Sequence, residues 1–300
     1  CTRHCILLVA VEPATTTNCI WNNIYVDNVV VVRDVIYYTG IGSNLYLTNL
    51  HMTRTYNGFL AGIMLYDVNA LYMDNCYISD NDHWYGAILT GAVDVQIFNT
   101  LIEYSAGGGI WEWYHPDSYT NGSFVMENTV IRQSGQALSG DGVYSMTLTN
   151  CSFLDNNTTS NTGGAIYAWM QHLVIRDCLF ERNNGFRSAG AIIHQAGKME
   201  IYNTVFRGNL AYHGGALYFY HYSNVAVHGI YIYDSVFDSN LAHDGAAIFN
   251  ERNVYYLQNV TFINNKAKGE GGAISDIMGE QACNHMEEYR QNGFIYYVDY

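Results

Sequence analysis

One phrase recurs along this chain: apolar, any residue, apolar, any residue, Asn or Asp, two residues, then a bulky apolar. It reads Leu45-x-Leu47-x-Asn49-x-x-Met52 in an early copy and Ile230-x-Ile232-x-Asp234-x-x-Phe237 in a late one. Its anchors are Asn28, Asn49, Asn75, Asn99, Asn128, Asn150, Asp177, Asn203, Asp234 and Asn259, spaced 21 to 31 residues apart. Between them runs a second phrase, a small-residue turn before an apolar residue. It appears as Gly40-Ile41, Gly142-Val143, Gly163-Gly164-Ala165-Ile166 and Gly271-Gly272-Ala273-Ile274, among others. Two phrases that hold phase over so many periods mark a repeat architecture.

Alternation with period two places Leu45 and Leu47 on one face of a strand. The anchor then turns the chain, and the next bulky residue starts another inward face. Turns this short leave no room for helices, while 21 to 31 residues fit three short strands per coil. The composition agrees: 30 Asn, 28 Gly and 27 Tyr suit strands and tight turns better than helices. The fold class is therefore all-β, a right-handed, single-stranded parallel β-helix of about ten or more coils, the hand following from the preference of parallel crossovers. Asn49, Asn75, Asn99, Asn128, Asn150, Asp177, Asn203, Asp234 and Asn259 should stack as a buried side-chain ladder. Residues 20–275 form the column as one stack. Residues 1–19 and 276–300 break the phrase and are read as caps, flanking segments or the start of further coils.

Five anchors in the C-terminal half lead into a sharper signature. Phe153-x-x-Asn156, Phe180-x-x-Asn183, Phe206-x-x-Asn209, Phe237-x-x-Asn240 and Phe262-x-x-Asn265 each precede a GGAI-like turn. This resembles the polymorphic outer membrane protein repeat and, more broadly, the pectin-lyase-like superfamily of right-handed β-helices. The resemblance covers roughly Asn150 to Ile274 and fades toward the N-terminus. It implies a secreted or surface-displayed passenger, an adhesin or structural stalk. The formal charge of −14 argues against nucleic acid and anionic membrane surfaces as partners. Expected partners are other chains of a surface or fibrous assembly, or glycans. The chain lacks an initiating Met and is read as a piece of something longer.

Cys76, Cys151 and Cys178 share the position after the anchor with Thr100, Thr129, Thr204 and Ser235. They read as a ladder of small side chains, with a Cys151–Cys178 disulfide as the alternative. Cys1, Cys5, Cys19 and Cys283 lie off the rungs and could staple the ends. No CxxC pair occurs, so the reading includes no metal and no cofactor. Sequons begin at Asn121, Asn150, Asn156, Asn157 and Asn259. Asn150 and Asn259 are ladder residues, which leaves Asn121, Asn156 and Asn157 as glycan acceptors.

The superfamily resemblance also implies a second function, cleavage of polysaccharides. The motifs of its hydrolase branch (Asn-Thr-Asp, Asp-Asp and Gly-His-Gly) do not occur here. Were the chain an enzyme, the catalytic groups would come from Asp80, Asp82, His83, Glu112, His115, Asp117 and Asp141, on loops of equal phase that could share a rim. Such chemistry uses paired carboxylates, or an acidic calcium site with a basic proton acceptor. Trp84, Trp111, Trp113 and Tyr114 nearby suit sugar stacking. Tyr144, Tyr167 and Tyr218 follow the turn in their coils and would form an aromatic stripe if they face outward. His213, His243 and Asp244 read as solvent-facing turn residues. The primary reading is a non-enzymatic extracellular β-helix that binds along a lateral face or through the loop from Trp111 to Ser123.

Overall fold

The computed structural model describes residues 18–277 except 31–33, 40–41, 59–60, 113–121, 142, 160–162, 196, 221–228 and 252. The chain divides into two compact units, Cys1–Asn156 and Asn157–Tyr300. Among the described residues every regular element is a β-strand.

In the first unit, three parallel walls repeat coil by coil. The wall before each anchor stacks Leu45, Leu71, Val95, Phe124 and Met146 in register, all with no exposed surface. The wall after the anchor stacks Val26, Met52, Ile78, Ile102, Ile131 and Phe153. The third wall stacks Ile36, Ile63, Ile88, Ile110 and Leu138. Each fully buried aliphatic side chain contributes about 1.5–3 kcal/mol by leaving water, and the three inward rows together make the core.

The second unit repeats this plan. Ile166, Ile192, Leu217, Ile248 and Ile274 form one row, and Ile175, Ile201, Ile232 and Leu257 another. Its middle wall is aromatic: Phe180, Phe206, Phe237 and Phe262 stack with ring centroids 4.9, 4.7 and 5.1 Å apart. A fourth element, a ledge, occurs between this wall and the glycine turn. It comprises Asn157–Thr158, Asn184–Gly185, Leu241–Ala242 and Lys266–Ala267, with Leu210 bridging Asn184 and Leu241. Glycine is needed at two of these turns because coils approach closely there: a Cβ on Gly190 would collide with the carbonyl of Gly215, and one on Gly215 with that of Ala246.

Every middle wall is bounded by two left-handed residues five positions apart: Asn23 and Asn28, Asn49 and Arg54, Asn75 and Asp80, through to Asn259 and Asn264, with φ from 46° to 61°. Asn and Asp tolerate this region best among residues with a Cβ, which is why they mark the first corner. Asn28 is thus the second corner of its coil, and Asn23 is the anchor in register with Asn49. Two turn phrases are also displaced. Ile36 and Leu138 hold the places the sequence reading gave to Ile41 and Val143. A glycine before an apolar residue is a loose signal, and here inward packing selects a different pair.

The anchors bond coil to coil. Asn75 Nδ2 donates to Asn49 Oδ1 at 2.6 Å, Asn150 to Asn128 at 2.7 Å, Asn203 to Asp177 at 2.6 Å and Asn259 to Asp234 at 2.7 Å. They stand exposed rather than buried, because a left-handed corner turns the side chain away from the core. The slot after them is the buried one. Thr100, Thr129, Thr204 and Ser235 donate back to the carbonyl two residues earlier. The thiols of Cys76, Cys151 and Cys178 do likewise. These cysteines and Cys19 form no disulfide. Cys1, Cys5 and Cys283 lie outside the described residues.

Candidate functional site

In the first unit, the rim residues expected to cooperate divide between the inside and the outside of the wall. Asp80 is a left-handed corner, so alternation restarts there. Asp80 and Asp82 point to solvent, while Asn81 and His83 point inward and are 1% and 2% exposed. His83 Nε2 lies 2.9 Å from Thr55 Oγ1, and Thr55 also donates to Asn81 Oδ1. Glu112 is 3% exposed at the end of strand Gly108–Glu112, in register with Thr90 and Gly140. Neither carboxyl oxygen has a hydrogen-bond partner, and burial pushes its pKa well above the usual glutamate value. Asp82 and Glu112 therefore face opposite sides of the column wall and form no carboxylate pair. Asp141 ends strand Gln136–Asp141. Trp113, Tyr114, His115, Asp117 and Asn121 lie outside the described residues.

A buried carboxylate with partners sits close by in sequence. Glu103 accepts from Tyr77 Oη at 2.7 Å and from Arg132 Nε at 2.6 Å. Two residues after Asp82, Trp84 is 74% exposed. Trp111 is half-buried, edge-on to Tyr85 at 5.5 Å.

The proposed stripe resolves differently for each of its members. Tyr144 is exposed, but it precedes strand Ser145–Thr149 and belongs to another wall. In the second unit Tyr167, Ile193, Tyr218 and Phe249 share one outward row. The row is covered in part by His213, whose ring lies 4.6 Å from Phe249 and 6.3 Å from Tyr218. Burial, together with the hydrogen bond to Glu251, raises the Tyr218 phenol. Asp244 Oδ2 lies 3.3 Å from His213 Nδ1 and 3.0 Å from His243 Nδ1. Its other oxygen accepts from the Glu270 amide, the largest of the effects that lower its pKa. Burial pushes His213 down. Among the described residues no cluster of His, Cys, Asp or Glu is arranged to hold a metal ion.

Of the sequons, Asn157 is exposed, whereas Asn156 is fully buried and donates to the Ile131 carbonyl at 3.0 Å. Asn156 is no glycan acceptor in the folded chain, because it fills the inward slot one residue past the second corner.

Sequence reasoning missed an outward tyrosine ladder in the second unit. Tyr202 and Tyr233 stack at 5.1 Å and Tyr256 follows at 5.7 Å. Arg176 covers the far face of Tyr202 at 4.7 Å. Beside them, burial alone would raise the Glu200 carboxyl, but hydrogen bonds from His172, Lys198 and Tyr202 hold it at about 2. The signal was present in the variable positions between apolar residues of the main phrase, as in Ile230-Tyr231-Ile232-Tyr233. The first unit carries shorter ladders of the kind: Tyr46, Tyr72 and Phe98 at 5.7 and 5.5 Å, and Tyr25, His51 and Tyr77 at 4.9 and 4.9 Å.

The family model described as a right-handed β-helix region matches the chain twice, over residues 6–173 and 121–287. No curated protein and no solved structure matches the chain.

Proposed function

Because the chain belongs to the right-handed β-helix family, we propose that it is a structural and adhesive element of an extracellular or cell-surface assembly, gripping a glycan or a partner protein along a lateral face. The observation that carries this reading is the outward aromatic ladder, above all Tyr202, Tyr233 and Tyr256. Stacked rings give a rigid edge of apolar carbon and hydroxyl groups that loses little entropy on contact. Glu200, Gln258 and Arg176 flank it with hydrogen-bonding groups. The FxxN and GGAI phrases support the finer assignment to repeats of the polymorphic outer membrane protein kind, and with it display at a surface. The exposed Asn157 is the proposed glycan acceptor.

A panel of neutral and acidic polysaccharides tests this in one experiment, read for binding and for product release with and without calcium. Binding that weakens severalfold in Tyr233→Ala, with no product, is the expected result. Reducing ends or unsaturated products that disappear in Asp82→Asn would replace it with a polysaccharide lyase or hydrolase, for which Asp80, Asp82 and Trp84 supply the exposed groups.

A further inference from the structure

The ledge of the second unit carries two outward rows. Asn184, Leu210, Leu241 and Lys266 lie in register. Two residues further on come Tyr212, His243 and Lys268, with the Tyr212 and His243 rings stacked at 4.6 Å. Phe186 and Arg187 precede them in the coil before. Phe186 is 63% exposed, Tyr212 48%, Leu210 43% and Leu241 42%. Large apolar side chains gathered on one surface and left in water are the mark of a contact face. Arg187, Lys266 and Lys268 are all exposed around them, in a chain with 13 basic residues against 27 acidic ones. Two acids share the surface: Asp244 is turned toward His213 and His243, and Glu270 is exposed two residues past Lys268, which leaves the three cations in excess.

The first unit presents the opposite character. Asp82 occupies the place after Asn81 that Leu210 occupies after Asn209. Exposed Asp80 and Asp82 flank the 74% exposed Trp84. We propose that the ledge docks a second copy of this chain, whose Trp84 indole packs among Leu210, Tyr212 and Leu241 while Asp80 and Asp82 face Arg187, Lys266 and Lys268. The inference rests on the reading of the protein as a component of an assembly. Charge complementarity selects this occupant: a cationic apolar face on an acidic chain meets its match on the chain itself. The contact is heterologous, since corner meets ledge. Such a contact builds a closed ring or an open chain of copies.

Sedimentation velocity of the full chain, over a range of concentrations and salt, is the first measurement. The expected result is concentration-dependent growth that weakens as salt rises. Trp84→Ala and Leu210→Asp should each weaken self-association about tenfold or more. An equimolar mixture of the two should give a one-to-one dimer and nothing longer, because only one competent corner–ledge pair remains. Circular dichroism melts check folding, and the double variant Lys266→Glu with Lys268→Glu replaces Leu210→Asp if that chain does not fold. A wild-type chain that stays monomeric, a Trp84→Ala chain that associates normally, or a mixture that fails to pair overturns the proposal. So does a monomer whose ledge instead takes an anionic glycan. A monomer that still binds the polysaccharide panel defeats only this contact. An assembly that releases polysaccharide products defeats the adhesive reading and leaves the contact standing.

Discussion

The two units place different chemistry in the inward slot one residue past the second corner. In the second unit Asn183, Asn209, Asn240 and Asn265 fill it. Asn209 Oδ1 accepts from the Asn183 amide and side chain at 3.0 and 3.0 Å, while its Nδ2 donates to the Phe180 carbonyl and to Asn240 Oδ1. Asn240 repeats the arrangement with Asn265 and the Phe206 carbonyl. In the first unit the slot holds Val29, Thr55, Asn81, Ser105, Ser134 and Asn156. The ladder is thinner there: Ser134 Oγ accepts from the Ser105 amide and Asn156 Oδ1 from the Ser134 amide, both at 3.2 Å, but Asn81 Nδ2 and Ser105 Oγ are buried without a partner. An amide has both donors and acceptors to pass the pattern on, whereas a hydroxyl carries one proton and breaks it. The ladder that a β-helix needs inside is thus the one the FxxN phrase marks; the exposed anchors form a second, solvated one.

The largest expected effect falls on the phenyl stack beside that ladder. Phe206→Ala should cost about 4 kcal/mol in chemical denaturation through the cavity it leaves; a loss under half of that would show the stack to be loosely packed. Asn209→Ala should cost about 3 kcal/mol, since it strands the Asn183 amide groups and the Phe180 carbonyl together.

Glu112 sharpens the contrast from the other unit. Its folded-state pKa is raised, so the folded chain keeps a proton that the unfolded chain releases. Stability is full below the ordinary carboxylate range and falls as pH rises toward the folded value, by up to about 1.4 kcal/mol per pH unit. Glu112→Gln should flatten that slope in melts taken from pH 4 to 9, and an unchanged slope would mean the carboxyl finds a partner. The smallest effect belongs to Ser105→Ala, expected within about 0.5 kcal/mol of wild type because its hydroxyl bonds nothing. Should it cost as much as Asn209→Ala, the distinction between the two columns is lost.

The fold was legible because every first corner carries Asn or Asp and inward rows demand alternation, so the anchors from Asn49 to Asn259 could be read directly. Asn28 misled because both corners of the first coil carry Asn. The site was less legible. A left-handed residue at Asp80 resets which neighbours point inward, so counting alone placed His83 beside Asp82 on one rim. Glu112 looked like a surface acid because the loop after it is polar, yet its strand carries it inside. Tyr144 followed a glycine and an apolar residue, but its true row partner is settled by pairing across coils.

The five-residue interval between corners has a practical side. Every middle wall has the same length, whatever its coil inserts elsewhere. A coil of 22 residues and one of 31 each keep equal step with their own neighbours there. A segment cut from one corner to the matching corner of the next coil carries its own lateral bonds at both ends. Such segments are natural units for duplication or grafting, and a longer or shorter column can be written by adding or removing them without redrawing the wall.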